Sequence, residues 1–358
     1  MASNSSRFHH ALFRAISSVP FLFVAIWCFR TMEPEKIVAF SQPAAASGFI
    51  DWDGGKLKML DRFYGVEALD QAFRGAMASF APSTLGYDSI SSWQFFHFLV
   101  DMGPIYTIWF LESSRALNAW SPAYFPTFFA LLGQVVGVGT VVPLFYFLCI
   151  VFRPTQTDLA RAPRRQSHFQ GSIPVVPLIM LFHTSVVFAM FLAPDLSARH
   201  YWTWAWQLSP LWIGLGNVAA HQAAALLGWK GSPSSSSFMA PGQMLGVMGL
   251  ISAGVWTYTL LSSPHSLGTL FVPQAGPQAG LALHMRKALQ ADEVGVVIGI
   301  FLWLAYCFAE LHVGGLLGNG WLLYFLLGPV AILCVGPGAA FALGWYARER
   351  ILEAVGKP

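Results

Sequence analysis

The feature that most constrains this chain is a series of apolar runs, each long enough to cross a bilayer and separated by charged connections. A membrane-spanning helix needs about 20 mainly apolar residues. Eight segments meet that measure, at about 15–31, 93–113, 124–152, 173–193, 202–228, 241–263, 294–313 and 317–346. Charged residues make up 10% of the chain against 55% hydrophobic ones. Water-soluble domains carry about 25% charged residues, so this chain lacks a polar coat to face water on all sides. The expected fold is all-α: a polytopic membrane helix bundle of about eight spans, forming one transmembrane domain over residues 1–358. The expected partner is the lipid bilayer. A net charge of +3, dispersed along the chain, gives no footprint for nucleic acid.

Arg7 and Arg14 precede the run Val19–Phe29 and Arg30 closes it, so the first span reads as a retained signal anchor. The loop 153–170 carries Arg153, Arg161, Arg164 and Arg165 against Asp158, which points to the cytosolic side. Both termini are basic as well, through Arg7 and Arg14 and through Arg348, Arg350 and Lys357. Eight spans put that loop opposite both termini, so the two signals oppose each other and orientation stays open. The connection 32–92 has apolar residues at helical spacing from Leu57 to Phe80, which predicts a helix lying on the membrane or capping the bundle. Pro82, Ser83 and Gly86 are expected to end it. Residues 229–240 read as a surface loop, and 264–293 as a Pro/Gly-rich connection ending in an amphipathic piece from Leu281 to Glu293. Three Gly-x-x-x-Gly pairs, at 133/137, 242/246 and 295/299, predict close helix packing.

Absent motifs remove whole classes of chemistry. There is no phosphate-binding loop and no G-x-G-x-x-G after a strand, which argues against nucleotide-driven reactions. Histidines never cluster as HxxxH, which argues against di-iron and zinc centres. A DDxxD-type cluster for a magnesium diphosphate is missing, as is a G-x-S-x-G elbow. Cys28, Cys149, Cys307 and Cys334 lie in apolar runs without metal-binding spacing. The expectation is no metal and no cofactor, with a reaction that relies on protons, aromatic rings and shape.

The second span carries the informative residues. At 100° per residue, His97, Asp101, Glu112 and Arg115 fall on one stripe of an otherwise apolar helix. An ionisable group at the bilayer centre costs roughly 2.5–3.5 kcal/mol, so several on one face indicate an interior cavity. His97–Asp101 is an i,i+4 pair and Glu112–Arg115 an i,i+3 pair. Gly103-Pro104 between them is expected to kink the helix and free carbonyls. Asp101 and Glu112 are roughly 16 Å apart along a straight helix, so they are not expected to act on one atom. The alternatives are an interfacial ion pair for Glu112–Arg115 and pairing across helices for Asp101. Glu310 is a further acid, with Tyr306 one turn earlier on its face, and it fits an interfacial group as well as a catalytic one. His183 and His221 read as core histidines, and Tyr201, Trp202, Trp204 and Trp206 as an interfacial belt. A carboxylic acid facing an apolar cavity stays protonated through desolvation, and aromatic rings such as Trp109 stabilise a passing carbocation. Those are the needs of acid-initiated cyclisation or of double-bond isomerisation.

The run Phe110-Leu-Glu-Ser-Ser-Arg-Ala-Leu-Asn118, with Glu112, Arg115 and Asn118, resembles an E-S-x-R-x-x-N pattern in integral-membrane terpene cyclases of fungal meroterpenoid pathways, the ascochlorin/ascofuranone type. The resemblance implies protonation of a terminal epoxide or alkene on a lipophilic farnesylated aromatic, then ring closure and deprotonation, in an endoplasmic reticulum membrane. Asp101 or Glu112 would be the general acid, with Arg115 and Asn118 orienting the latter and His97, Trp109 and Tyr306 lining or orienting the substrate. Glu310 would be a terminal base or a hydrogen-bond partner. The other readings are a sterol-type isomerase using the same proton chemistry and a transporter or receptor for a hydrophobic small molecule. A transporter would show internal symmetry, which the sequence lacks.

Overall fold

The computed structural model describes residues 12–162, 174–227 and 240–355. The predicted loop 229–240 and the basic residues Arg164, Arg165 and Lys357 lie outside the described residues, save Ala240. The described chain is all-α apart from one hairpin. Helices α1 (Val19–Met32) and α2 (Pro34–Ser47) lead into strands β1 (Phe49–Trp52) and β2 (Gly55–Lys58). Then come α3 (Glu67–Thr84), α4 (Ser89–Ser113), α5 (Pro126–Val136), α6 (Val138–Phe152) and α7 (Gln156–Arg161). Helix α8 (Val175–Leu192) holds a π-helical turn over Met180–Thr184. The chain continues through α9 (Leu196–Gln207), α10 (Ser209–Leu226), α11 (Pro241–Ser262), α12 (Leu267–Phe271), α13 (Leu281–Val313), α14 (Trp321–Val335) and α15 (Pro337–Val355).

By length and composition, three of these helices can cross a membrane: α8, α11 and α13. Several apolar runs that read as single spans are broken in two. The run 124–152 divides at Gly137, whose φ of +96° suits glycine and ends α5. The run 317–346 divides at Gly336, with φ +83°, and 202–228 divides between Gln207 and Ser209. Helix α14 has no buried residue although it is apolar throughout, with Phe325, Leu326 and Leu333 all exposed. Trp321, Gly328, Ile332 and Val335 are half-buried on one face, and the rest of so apolar a helix is accommodated by lipid rather than water.

The connection 32–92 is more structured than its helical spacing predicts. Leu57 alternates with Lys56 and Lys58 in β2, and Asp53-Gly54 forms a two-residue turn, so period 2 prevails over the apparent helical repeat here. The helix begins only at Glu67, carries Pro82 in its last turn and ends at Thr84, within the expected stretch and just before Gly86 with φ +87°. This region has its own small core of Ile50, Met59, Met77, Leu85 and Trp204. Trp204 and Trp206 are buried, which corrects their reading as an interfacial belt. His183 is a core histidine: its Nε2–H donates to Leu99 O at 2.8 Å, one turn before Pro104. His221 is exposed on α10, contrary to the core reading.

The amphipathic piece Leu281–Glu293 is not a separate surface segment. It forms the first turns of the 33-residue α13 and buries His284, Gln290 and Glu293. Asp292 Oδ1 there accepts the Gly139 N–H at 2.6 Å, capping α6 from a neighbouring helix. Gly139 and Gly295 make that approach close: a Cβ at Gly295 would lie 2.6 Å from Gly139 O. The glycine pair 295/299 thus packs α13 on α6, whereas in the pair 242/246 only Gly242 has a close neighbour, Tyr346. Helices α3, α8, α11, α13 and α15 pack around α4, which is buried without interruption from Gln94 to Glu112.

Candidate functional site: two polar centres on one buried helix

Because α4 is enclosed on all sides, each polar group on it needs a partner from another helix. The partners gather into two centres. In the first, His97 lies between two carboxylates: Nδ1 is 3.0 Å from Glu293 Oε1, and Nε2 is 3.5 Å from Asp101 Oδ2. Asp101 Oδ1 accepts from Ser252 Oγ of α11 at 2.6 Å, and Oδ2 from the Gly338 N–H of α15 at 2.9 Å. Gln94 Nε2 donates to Glu293 Oε2 at 2.7 Å and to Leu289 O at 3.1 Å. The rings of Trp256 and Phe271 close over His97, with centroids at 5.0 and 5.4 Å. The predicted i,i+4 pair is present, and so is the pairing of Asp101 across helices.

In the second centre Glu112 is an acceptor in every contact. Oε1 accepts from Trp345 Nε1 at 2.9 Å and from Arg348 Nη1 at 2.6 Å. Oε2 accepts from Asn118 Nδ2 at 3.2 Å and faces Arg115 Nε at 3.4 Å. Asn118 also donates to Glu112 O at 2.8 Å, tying the helix end to the turn after it. Arg115 Nη2 pairs with Glu349 at 2.5 Å, and Arg348 with Glu349 at 3.3 Å and with Gln156 Oε1 at 2.6 Å. Glu112 is 5% exposed and Arg348 fully buried. This donor set leaves Glu112 a carboxylate with its lone pairs engaged, not a carboxylic acid offering a proton.

A small void opens beside Glu112, walled by Trp109, Phe145, Tyr146, Cys149, Arg153 and Trp303 among others. It has room for about one water molecule. Trp109 Nε1 donates to Tyr146 Oη at 2.9 Å, and the Tyr146 ring stacks on Trp303 at 4.7 Å. Arg153 and Arg348 approach the Trp303 ring at 5.7 and 5.4 Å, so this ring already serves as a cation-binding surface.

Glu310 stands apart from both acids of α4. It faces Arg14 at 3.8 Å and Arg153 at 3.9 Å and accepts the Gln156 N–H at 3.2 Å. Its link to the void runs through Arg153. Tyr306 Oη bonds Ser17 Oγ at 3.1 Å, at the outer edge of α13. The structure therefore brings Trp109, Arg115 and Asn118 to Glu112, puts His97 with Asp101, and leaves Glu310 and Tyr306 peripheral. Sequence reasoning missed Glu293, Ser252, Tyr146, Arg153 and the face Trp345, Arg348, Glu349 and Leu352. That last face was legible in its i, i+3, i+4, i+7 spacing, which marks one buried helical stripe even with two charges in it.

A family model described as the CtvD domain matches residues 21–353. The chain belongs to the CtvD family. Among curated relatives, FAD-dependent monooxygenase verC1 of Penicillium polonicum is 28% identical over 95% of this chain and 42% of its own length. Terpene cyclase ascI of Acremonium egyptiacum is 26% identical over 55% of this chain and 49% of its own length. Terpene cyclase ctvD of Aspergillus terreus is 26% identical over 41% of this chain and 43% of its own length. The chain thus spans less than half the length of these relatives. No solved structure matches. Two of these relatives, ascI and ctvD, are named terpene cyclases, the type of protein that the run around Glu112 resembles.

Proposed function

We propose that this protein is a membrane-bound terpene cyclase that closes rings on a prenylated, farnesyl-type aromatic or its terminal epoxide, by acid initiation, in meroterpenoid secondary metabolism. The observation that carries the reading is the void where the Glu112 carboxylate meets Trp109, Phe145, Tyr146 and Trp303. A type II cyclisation needs aromatic rings to stabilise a migrating cation, a dry surround to prevent quenching and a base to take the last proton. Glu112 Oε1 is held by Trp345 and Arg348, while Oε2 has the longer contacts to Asn118 and Arg115. Oε2 is therefore the oxygen assigned to that terminal proton. Asn118 and Arg115 orient it, and Glu310 positions Arg153 at the void wall.

Asp101, His97 and Glu293 are assigned to positioning α4 against α11, α13 and α15. A water-sized void does not hold a farnesyl chain, so binding requires the lining rings to move apart. Relatives named FAD-dependent monooxygenases favour the epoxide form of the substrate, since an epoxide is a product of such a monooxygenation. The lipid-exposed α14 and the three membrane-length helices support a bundle in a membrane, which we place in the endoplasmic reticulum as an eight-span assembly.

The test uses microsomes carrying the full chain, given a farnesylated aromatic and its terminal epoxide without nucleotides. Cyclised product is expected with the wild type and is lost by at least about 100-fold in Glu112→Gln at equal expression. Undiminished turnover in Glu112→Gln overturns the site. Absence of product with either substrate overturns the cyclase reading.

A further inference from the structure

Acid initiation needs a proton donor at the void, and Glu112 presents only acceptors. Tyr146 presents the opposite. Trp Nε1 is a donor and never an acceptor, so in the 2.9 Å contact with Trp109 the Tyr146 hydroxyl must accept. Among the described residues this is the only hydrogen bond that hydroxyl makes, and its own proton has no protein acceptor. Tyr146 is 2% exposed, lines the void, and is held by the stack with Trp303 on one side and the Trp109 N–H at its oxygen. Arg153 lines the same void and approaches the Trp303 ring on which Tyr146 stacks, so one guanidinium lies at the wall where an oxygen would gain negative charge.

We propose that Tyr146 is the proton donor to the substrate's epoxide oxygen, with Trp109 as the positioning residue that aims it. This inference rests on the cyclase reading above. The Tyr146 O–H bond breaks as its proton moves to the epoxide oxygen, and the C–O bond to the more substituted carbon breaks with it. The electron pair of that bond stays on oxygen, giving an alcohol. A substrate double bond then attacks the cationic carbon and the ring closes. The final cation loses a proton to Glu112 Oε2, and that proton returns to the Tyr146 phenolate across the void. The reaction is a net isomerisation, so neither oxidant nor reductant enters it. The Trp109 N–H stabilises the transient phenolate.

Two variants of the full-length protein in microsomes test this with the epoxide substrate. Tyr146→Phe keeps the ring and its stack on Trp303 and removes only the hydroxyl. It is expected to lower kcat by about 100-fold or more, the range of general-acid catalysis, with KM within about threefold of wild type. Replacement of Tyr146 by 3-fluorotyrosine keeps the hydroxyl and the ring's shape but makes the phenol more acidic, and it decides the matter should Tyr146→Phe not fold. It is expected to change kcat and move the pH profile of kcat to lower pH. Wild-type kcat and an unshifted profile in the fluorinated protein overturn the proposal, as does a Tyr146→Phe protein altered in KM alone. Those outcomes leave the cyclase reading intact, because that reading fails only if the wild type forms no cyclised product.

Discussion

The His97 centre and the Glu112 centre lie on the same helix, with His97 about four turns before Glu112, and they handle charge in opposite ways. The first sets two carboxylates, Asp101 and Glu293, around one imidazole, with no guanidinium or ammonium contact among the described residues. The second sets Glu112 and Glu349 among Arg115 and Arg348, with Arg153 at the edge. An imidazole between carboxylates can bind or release a proton, whereas a guanidinium cannot be deprotonated in a protein. The Glu112 centre is therefore a fixed field, suited to orienting a dipole or stabilising an oxyanion. The His97 centre links three helices to α4 through hydrogen bonds. The void lies at the fixed field, and this is why the chemistry is assigned there.

The comparison is broken most strongly at Arg348. Arg348→Ala removes the shortest ion pair of Glu112 and a second pair of Glu349, leaving Arg115 to serve both buried carboxylates. Such a loss costs about 3–5 kcal/mol, to be read as lowered thermal stability of the detergent-solubilised protein. Unchanged stability would mean that this centre is not a buried charge network.

A second test sets Asp101→Asn beside Glu112→Gln. Asp101→Asn weakens bonds from Ser252 and Gly338 to a charged oxygen, each worth about 1.5–3 kcal/mol. It is expected to destabilise the protein while retaining most of its turnover; Glu112→Gln is expected to lose turnover as well as stability, because Arg348 and Arg115 then stay buried beside a neutral amide. If turnover falls only in Asp101→Asn, the proton chemistry belongs to the His97 centre. Gly338→Ala probes the same contact sterically. Its Cβ would lie 2.8 Å from Asp101 Cγ and 2.9 Å from Ser252 Oγ, an overpacking expected to cost about 1–3 kcal/mol.

The two centres were legible in the sequence to different depths. Helical spacing gave the pairs His97–Asp101 and Glu112–Arg115 because both members of each sit on α4. It could not give Glu293, which comes from α13, nor Arg348 from α15, because periodicity reports only on a residue's own helix. The adjacent charges Asp292 and Glu293 also lowered local apolarity, so the first turns of α13 looked like the end of a surface connection. Arg348 was hidden differently: among Arg350 and Lys357 it looked like part of a basic terminus, yet it is fully buried. The apolar runs predicted a helical bundle correctly. Three of those runs were less continuous than they looked, because glycine or proline at a break leaves hydropathy high while ending the helix.

The smallest expected effect sharpens the contrast by adding a second histidine, on α9. His200 faces donors instead of carboxylates: its Nε2 accepts from Trp204 Nε1 at 3.1 Å and from the Leu60 N–H at 3.3 Å. Both bonds need the neutral imidazole, and burial pushes the His200 pKa down from 6.5 to about 4. A depressed histidine pKa means that its contribution to stability is fully present above the unfolded value and is lost as pH falls from 6.5 through about 4. The effect is local to the hairpin region, because His200 joins the segment after β2 to α9. Hydrogen exchange at the Leu60 amide should therefore accelerate, relative to the pH-dependent intrinsic rate, as pH drops through that window. His200→Asn should remove most of the pH dependence. If protection at Leu60 is independent of pH between 7 and about 4, His200 is not the group that ties this region to α9.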